Sequence, residues 1–269
     1  MNSHLRKELF TFAALGNCAL LLLFLSPLLF DNWPHTGQRL VQSLLLWAVI
    51  WQQLWHYRLQ NRSDLDSPQL PALGWANRVT VMRGGLIAAC AGFLWQPLPA
   101  GKAAYLPVLC YTLAVLADRL DGELARRSNT TTLLGAALDT SYDAIGLVVA
   151  PMLAVNYGKL HPSYLLVSAA YYIFVSGLRW RQHHNLPVLP LAPSALRRTL
   201  AGCQMTLVAV SLWPPMKPLW SQLAGCVLML PLLLHFWIDW LMVSARLPRV
   251  PEITWRQLGR LSRQWLLGN

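Results

Sequence analysis

Charged residues are scarce in this chain. They make up 12% of its 269 residues, and hydrophobic residues make up 55%, whereas a soluble domain usually carries about 25% charged residues. This deficit excludes an ordinary water-exposed surface. Several apolar stretches approach the roughly 20 residues that a helix needs to cross a bilayer, and a helix satisfies its own backbone hydrogen bonds in lipid. We therefore predict an all-α integral membrane protein.

The chain also lacks the features of several other classes of protein. Its five cysteines have no close CxxC spacing, so we predict small buried hydrophobic residues rather than disulfides or metal ligands. No small-x-small cleavage site follows Phe30, which favours a retained membrane anchor over a signal peptide. The two halves show no convincing internal repeat, which argues against a transporter.

Basic residues outnumber acidic ones by 22 to 11. We predict eight spans at 9–30, 38–56, 82–97, 104–120, 133–157, 162–179, 199–213 and 219–243. With a cytoplasmic N-terminus, eighteen of the 22 basic residues lie on the cytoplasmic side. This asymmetry predicts cytoplasmic N- and C-termini, a bacterial inner membrane, and anionic lipid or phosphate at the inner face. A nucleic-acid partner is not predicted.

The predicted organisation has three parts. Residues 1–70 hold two helices and a polar linker, because a stretch rich in Pro, Ser and Asp follows the second span. Residues 71–246 hold six further helices. Residues 247–269 place Trp and Leu on one side and Arg between them, which predicts an amphipathic tail on the membrane surface. An ordinary soluble tail is the alternative.

Five of the eleven acidic residues lie within positions 118–143. Asp118 and Asp121 are three residues apart, and Asp139 and Asp143 are four apart, so each pair shares one face of a helix. The linker between the pairs is short and polar, which predicts antiparallel packing with the carboxylates facing one another. Structural ion pairs at helix ends are the plain alternative interpretation.

Four neighbouring carboxylates would repel one another unless a cation lies among them. Arg119, Arg126 and Arg127 supply some positive charge. An all-oxygen cluster is also the ligand set that Mg²⁺ or Mn²⁺ prefers, and Mg²⁺ commonly binds substrate phosphates as well. The cluster therefore predicts a divalent-metal site for a phosphate-bearing substrate.

The complete acidic pattern resembles the signature of the CDP-alcohol phosphotransferase (CDP-alcohol phosphatidyltransferase) family. Its matched positions are Asp118, Asp121, Gly122, Ala125, Arg126, Gly135, Asp139 and Asp143. The stretch NRVTVMR resembles the family's first core helix through Asn77, Thr80 and Arg83. SGLRWR resembles the end of the fourth core helix, and RRTLAGCQ resembles a later stretch only loosely, with Arg197 in place of a Gly.

The resemblance implies a six-helix catalytic core, here with two extra N-terminal transmembrane helices, that forms a homodimer. It implies phospholipid synthesis, in which a CDP-linked lipid such as CDP-diacylglycerol transfers its phosphatidyl group to an alcohol and CMP is released. Two ions of Mg²⁺ or Mn²⁺ would be held by Asp118, Asp121, Asp139 and Asp143, and Asp143 would also act as the base. The CDP-binding set that it implies is Asp118, Gly122, Ala125, Arg126, Gly135, Asn77 and Thr80.

The acceptor alcohol is less defined by the sequence. A basic set near the predicted site suggests a phosphorylated acceptor, such as glycerol 3-phosphate or an inositol phosphate, because Arg forks match phosphate oxygens; its members are Ser176, Arg179, Arg181, Arg197 and Arg198. Charge that only sets membrane topology is the alternative. Ala144 stands where the glycerol-phosphate branch often has a Lys. Asp239, in the last span, is either functional or paired with an Arg.

Two other functions compete with this interpretation. A membrane prenyltransferase also uses Asp-rich helices to hold Mg²⁺ and a pyrophosphate, although its Asp pairs normally lie in separated loops. A cation-coupled transporter would also need acidic groups within the membrane. Release of CMP, release of pyrophosphate and uptake without either product distinguish the three.

Overall fold

The fold is all-helical throughout the part of the chain that the structure describes. The structure is a computed structural model, which describes residues 3–26, 35–127, 131–191 and 194–246. Those ranges contain eight long helices and no strand: α1 (Ser3–Leu25), α2 (Thr36–Tyr57), α3 (Gly74–Ala91), α4 (Leu106–Arg127), α5 (Leu133–Asn156), α6 (Leu165–His183), α7 (Ala195–Ser211) and α8 (Pro218–Val243).

Four of these helices are long and apolar enough to cross a membrane. Within the described residues they are Ser3–Leu25, Gly101–Arg127, Leu133–Asn156 and Pro218–Val243, where the second range includes the short 3-10 turn before α4. Large apolar side chains such as Leu22 and Trp237 point outward along them, as expected for surfaces that face lipid. The fold is therefore consistent with an integral membrane protein, and the count of eight spans stays a prediction.

The first two helices pack against each other and then against α3. Close approach depends on glycines: a Cβ on Gly16 of α1 would collide with the Trp47 ring of α2, and a Cβ on Gly84 of α3 would lie 2.8 Å from a methyl carbon of Ile50. Such small residues let helix backbones approach closely in a membrane, where the hydrophobic effect does not drive helices to associate. The hairpin of α1 and α2 is thus a packed part of the fold.

Helix α3 lies at the centre of the molecule, against both α4 and α5. Eleven of its 18 residues are buried, including Asn77, Thr80 and Arg83. These three positions fall on one helical face because they are spaced three apart. That face is directed at α4 and α5, the two helices that carry the acidic residues.

Helices α6, α7 and α8 complete the fold on the far side of α4 and α5. Gln204 of α7 donates its side-chain amide to the Leu228 carbonyl of α8 at 2.6 Å and accepts from the Tyr164 hydroxyl. A Cβ on Gly177 of α6 would lie 2.7 Å from the ring of Trp240 on α8. These contacts join α6 and α7 to α8.

The structure describes all five cysteines but not the C-terminal tail. All five cysteines are free thiols, but only Cys90 and Cys110 are buried, while Cys18 and Cys203 are exposed. The prediction of buried cysteines is wrong for those two, because their side chains point away from the neighbouring helices. The predicted amphipathic tail at 247–269 lies outside the described residues.

Candidate active site

The acidic residues of α4 and α5 converge at one point. One carboxylate oxygen from each of Asp118, Asp121 and Asp139 lies within 4.8 Å of the others. Asp118 and Asp121 come from adjacent turns of α4, and Asp139 comes from the second turn of α5. Asp143 lies one turn further along α5. The helical spacing of each pair thus delivers all four carboxylates to a single interface.

Arg83 of α3 lies among these four carboxylates. Its guanidinium forms a short contact with Asp118 and lies 2.9 Å from Oδ1 of Asp139, 3.5 Å from Oδ1 of Asp143 and 3.9 Å from Oδ2 of Asp121. The Arg83 side chain is only 2% exposed. A planar guanidinium suits this position because its donors spread in a fixed fork. Arg83 therefore supplies the positive charge that the cluster requires.

The sequence did not single out Arg83 as a site residue. Arg83 enters the sequence analysis only through the NRVTVMR resemblance, whereas Arg119, Arg126 and Arg127 are the predicted sources of positive charge. The available signal was periodicity, since Asn77, Thr80 and Arg83 share one face of α3. Thr80 shows what that face meets: its hydroxyl donates to Oδ2 of Asp121 at 2.8 Å.

The donor set fits a hard divalent cation. Three carboxylates offer oxygens close to one another, and such oxygens are the ligands that Mg²⁺ and Mn²⁺ prefer. The Asp139 side chain is 51% exposed, the Asp118 side chain 26% and the Asp121 side chain 7%. The cluster is therefore open on the Asp139 side, where an ion and a phosphate have access.

A cavity of about 980 Å³ opens onto the cluster. We call it the polar cavity because more than half of the residues that line it are polar or charged. It is lined by parts of α3, α4, α5 and α7. The structure brings together here every residue of the predicted CDP-binding set: Asp118, Gly122, Ala125, Arg126, Gly135, Asn77 and Thr80. Asp121, Asp139 and Asp143 also line it, so the predicted metal ligands and nucleotide residues share one space.

Gly135 allows α5 to approach α3 at this cavity. A Cβ at this position would lie 2.6 Å from Oδ1 of Asn77 and 3.2 Å from Oγ1 of Thr132. Thr132 caps α5 by accepting from the Gly135 amide at 3.0 Å. Only glycine leaves room for the Asn77 amide against the first turn of α5.

A second cavity, of about 430 Å³, is almost wholly apolar. Side chains from α3 to α8 line it, among them Ile87, Val167, Phe174 and Phe236. Its residues Asp118, Asp143, Ala201 and Met205 also line the polar cavity. The two spaces therefore meet at the carboxylates of Asp118 and Asp143.

The five residues of the predicted acceptor set are not brought together. Arg198 lines the polar cavity and Arg197 lines the apolar one, whereas Ser176, Arg179 and Arg181 line neither. Arg181 is buried and donates to the carbonyls of Pro187 at 2.8 Å and Ser244 at 3.3 Å. Its guanidinium thus links two loop segments, a role that its position in the sequence does not reveal.

Arg197 forms an ion pair with Asp239 of α8. Its Nε lies 2.9 Å from Oδ2 of Asp239 and its Nη2 lies 3.1 Å from Oδ1. Nε2 of His235 lies 3.6 Å from the same carboxylate. Of the two possibilities for Asp239, pairing with an Arg is the one that the structure shows.

A family model for CDP-alcohol phosphatidyltransferase matches residues 73–243. The chain belongs to the CDP-alcohol phosphatidyltransferase family. The match covers α3 to α8 and leaves α1, α2 and most of the linker outside. Membership makes the protein a transferase and selects that prediction over the prenyltransferase and the transporter.

Similar proteins have names from the same family. A CDP-diacylglycerol–glycerol-3-phosphate 3-phosphatidyltransferase of Wigglesworthia glossinidia brevipalpis is 31% identical over 43% of this chain and 65% of its own length. Proteins of the same name from Salmonella paratyphi A and Escherichia coli K12 are 27% and 29% identical, over 59% and 49% of this chain and 84% and 72% of theirs. No solved structure matches the chain.

Proposed function

We propose that this CDP-alcohol phosphatidyltransferase transfers a phosphatidyl group from CDP-diacylglycerol to a small alcohol or alcohol phosphate and releases CMP. The observation that carries the proposal is the junction of a polar and an apolar cavity at Asp118 and Asp143. A CDP-lipid has the same division, because a charged nucleotide diphosphate joins an apolar diacylglycerol. The phosphate that reacts lies between those two parts of the donor.

The donor's polar part is assigned to the polar cavity. Arg126 and the backbone at Gly122 and Gly135 face this space, together with Asn77 and Thr80. Arg126 lies at the cytoplasmic end of α4 in the proposed orientation and neutralises phosphate charge. The small residues Gly122 and Ala125 let the nucleotide approach the helix backbone.

Asp118, Asp121 and Asp139 would hold two divalent ions, Mg²⁺ or Mn²⁺, with Asp143 beside them. When bound, such ions stabilise the negative charge that develops on the phosphates. Arg83 holds the same carboxylates together from the buried side. Because Arg83 is buried and Asp139 is half exposed, Asp139 is the residue through which ions would reach the cluster.

Asp143 is assigned as the general base. Its side chain is 44% exposed and borders both cavities, so an acceptor hydroxyl reaches it from the polar side. The acceptor proton passes to the Asp143 carboxylate as the acceptor oxygen bonds to the phosphorus nearest the lipid. The bond from that phosphorus to the bridging oxygen breaks, and CMP leaves with the electron pair.

The acceptor is assigned to the class of small alcohols and alcohol phosphates. The names of the similar proteins place glycerol 3-phosphate first among the acceptors to test. Arg198 in the polar cavity supplies a suitable positive charge for its phosphate. This chain differs from the glycerol-phosphate branch at one position, since Ala144 follows the last Asp where that branch often has a Lys.

The proposal extends to architecture and location. The six helices α3 to α8 form the catalytic membrane domain, α1 and α2 are additional transmembrane helices, and both termini are cytoplasmic in a bacterial inner membrane. The family resemblance implies a homodimer. Crosslinking in native membranes tests the oligomer, and thiol labelling of single cysteines introduced at the helix ends tests the topology.

The deciding experiment supplies purified protein with CDP-diacylglycerol, Mn²⁺ and one alcohol at a time, and identifies the lipid product by mass spectrometry. The panel contains glycerol 3-phosphate, inositol phosphate, serine and glycerol. We expect stoichiometric CMP and one phosphatidyl product, and no product from Asp121→Asn protein. Pyrophosphate release from a prenyl donor, or ion uptake into liposomes without CMP, would reject the proposal.

A further inference from the structure

The linker between α2 and α3 lies mostly outside the family match, which begins at residue 73, yet it contacts α3 and the first turn of α5, two elements that line the polar cavity. We infer that Asn61, in this linker, is a positioning residue for the nucleotide end of the site, acting through Asn77 and Thr132. The inference rests on the proposed function, since it assigns the polar cavity to the CDP moiety.

Asn61 is held in one orientation by its own loop. It is fully buried, and its Nδ2 donates to the carbonyls of Ala72 at 2.8 Å and Leu70 at 3.3 Å. Because both neighbours are acceptors, the amide nitrogen must face them. The Oδ1 atom therefore points the other way, and it accepts from Nδ2 of Asn77 at 3.3 Å.

Asn77 connects Asn61 to the start of helix α5 through a second hydrogen bond. Its Nδ2 also donates to Oγ1 of Thr132 at 3.0 Å, and Thr132 is the residue that caps α5 through the Gly135 amide. Asn77 and Thr132 both line the polar cavity, whereas Asn61 does not. Asn61 is thus buried behind Asn77 and Thr132, the two residues that the nucleotide would contact.

The backbone of the linker reinforces the same connection. The Leu133 amide, in the first turn of α5, donates to the Arg62 carbonyl at 2.9 Å. The Leu70 amide donates to the Asn61 carbonyl at 2.7 Å, which closes the loop on itself. Residues 61 and 62 therefore meet α3 through a side chain and α5 through the main chain.

The leading helices hold the linker in place. Glu8 of α1 accepts from the Leu73 amide at 3.0 Å and pairs with Arg78 at 2.8 Å, both at the start of α3. The Tyr142 hydroxyl of α5 donates to the Ile50 carbonyl of α2 at 3.2 Å. Helix α1 thus contacts the end of the linker and the start of α3, while α2 contacts α5 directly.

The test uses the full-length protein and replaces Asn61 with Leu, which has a similar shape and no hydrogen bonds, and with Ala, which removes the same hydrogen bonds without added bulk. We expect Asn61→Leu to raise the KM for CDP-diacylglycerol about tenfold, the value of one hydrogen-bonded contact or about 1.4 kcal/mol. The KM for the acceptor should stay unchanged. Asn61→Ala should raise the donor KM by a similar factor.

The direct probe is CMP, titrated calorimetrically in the presence of Mn²⁺. Its affinity should fall by the same factor in Asn61→Leu and in Asn77→Ala, with little further loss in the double variant, because the two residues act in one chain of contacts. Asp64→Ala is the matched control: Asp64 is exposed in the same linker and bonds only within its own turn, at 2.8 Å to the Ser67 amide.

Two outcomes would overturn the inference. One is an unchanged donor KM and CMP affinity in folded Asn61→Leu protein; the other is additive losses in the double variant. If Asn61→Leu fails to fold, the same double-variant comparison is made with Asn61→Ala. Wild-type CMP release from CDP-diacylglycerol tests the proposed function separately, so a failure of the Asn61 inference leaves that result intact.

Discussion

Arg83 and Asp139 meet across the interface of α3 and α5, where Nη2 of Arg83 lies 2.9 Å from Oδ1 of Asp139. The Arg83 side chain is 2% exposed and the Asp139 side chain 51% exposed. One partner is therefore fixed in the core while the other reaches the cavity. The cluster is held from its buried side and left open to a metal ion and substrate on the other.

Arg83→Gln should destabilise the protein when divalent ions are removed. Four carboxylates would lose their shared counter-charge, and removal of one partner from a buried pair costs about 3–5 kcal/mol. The loss should lie at the lower end, since Asp139 is half exposed. Mg²⁺ should restore stability, because the cation then replaces the guanidinium charge. Thermal unfolding in detergent, with chelator and with Mg²⁺, measures both effects.

Arg127→Gln is the control for this prediction. Arg127 pairs only with Glu123 in the described residues, and its side chain is 79% exposed. Its loss should change the unfolding temperature little, with or without Mg²⁺. Equal responses of the two variants to Mg²⁺ would show that Arg83 is not the counter-charge of the cluster.

Asp143→Asn should abolish turnover but leave nucleotide binding nearly intact. The amide cannot accept the acceptor proton, and the loss of a general base lowers kcat by about 10²–10⁴. CMP affinity, measured by calorimetry with Mn²⁺, should change by less than about threefold, because that shift corresponds to less than one hydrogen bond. Normal turnover by the variant would exclude Asp143 as the base.

Gly135→Ala should reduce donor binding through a steric clash. The added methyl would lie 2.6 Å from Oδ1 of Asn77, so α5 must shift or the Asn77 side chain must turn away. Overpacking of this kind costs about 1–3 kcal/mol, and the donor KM should rise accordingly. The measurement is the KM for CDP-diacylglycerol at saturating acceptor.

Two variants sharpen the Gly135 prediction. Gly37→Ala is the control, since no atom of the described residues lies within 4 Å of its added Cβ and Gly37 is an exposed position of α2. Asn77→Ala combined with Gly135→Ala removes the clashing atom, so the double variant should be no worse than Asn77→Ala alone. Independent losses in the double variant would contradict the steric explanation.

Much of this site follows from local spacing, and the rest depends on distant contacts. The intervals between Asp118 and Asp121 and between Asp139 and Asp143 suffice to predict which helix faces carry the carboxylates. The place of Arg83 at their centre depends on how α3 packs, and periodicity alone does not say which neighbour it meets. Sequence spacing likewise predicts eight spans, and the span predicted at 82–97 overlaps helix α3, which runs from Gly74 to Ala91. The helix extends further towards the N-terminus than the predicted span because Asn77, Arg78 and Thr80 interrupt the apolar sequence of its first turns.

The partners of the basic residues also could not be predicted from the local sequence. Arg181 and Arg197 are equally plausible acceptor ligands from their positions in the sequence. In the structure, Arg181 donates to loop carbonyls and Arg197 pairs with Asp239. Both partners are more than five residues away in the chain, and the pairing is set by packing of α6, α7 and α8. No local pattern distinguishes such an Arg from one that binds substrate.

The Arg197 and Asp239 pair should show strong energetic coupling. The side chain of Asp239 is 6% exposed and that of Arg197 is 34% exposed, and Arg197 borders the apolar cavity. Each single variant, Arg197→Met or Asp239→Leu, leaves one charge in apolar surroundings, whereas the double variant leaves none. We expect a coupling of about 1–3 kcal/mol from the double-mutant cycle, measured by unfolding in mixed micelles.

The Glu123 and Arg127 pair provides the matched comparison, since its two side chains are 45% and 79% exposed. Its coupling should be about 0.2–0.5 kcal/mol, as for exposed pairs one helical turn apart. His235 lies 3.6 Å from Asp239, so the cycle is repeated with His235→Ala to separate its contribution. Similar couplings for the buried and the exposed pair would show that water reaches Arg197, and the apolar cavity would then be hydrated at its Asp239 end.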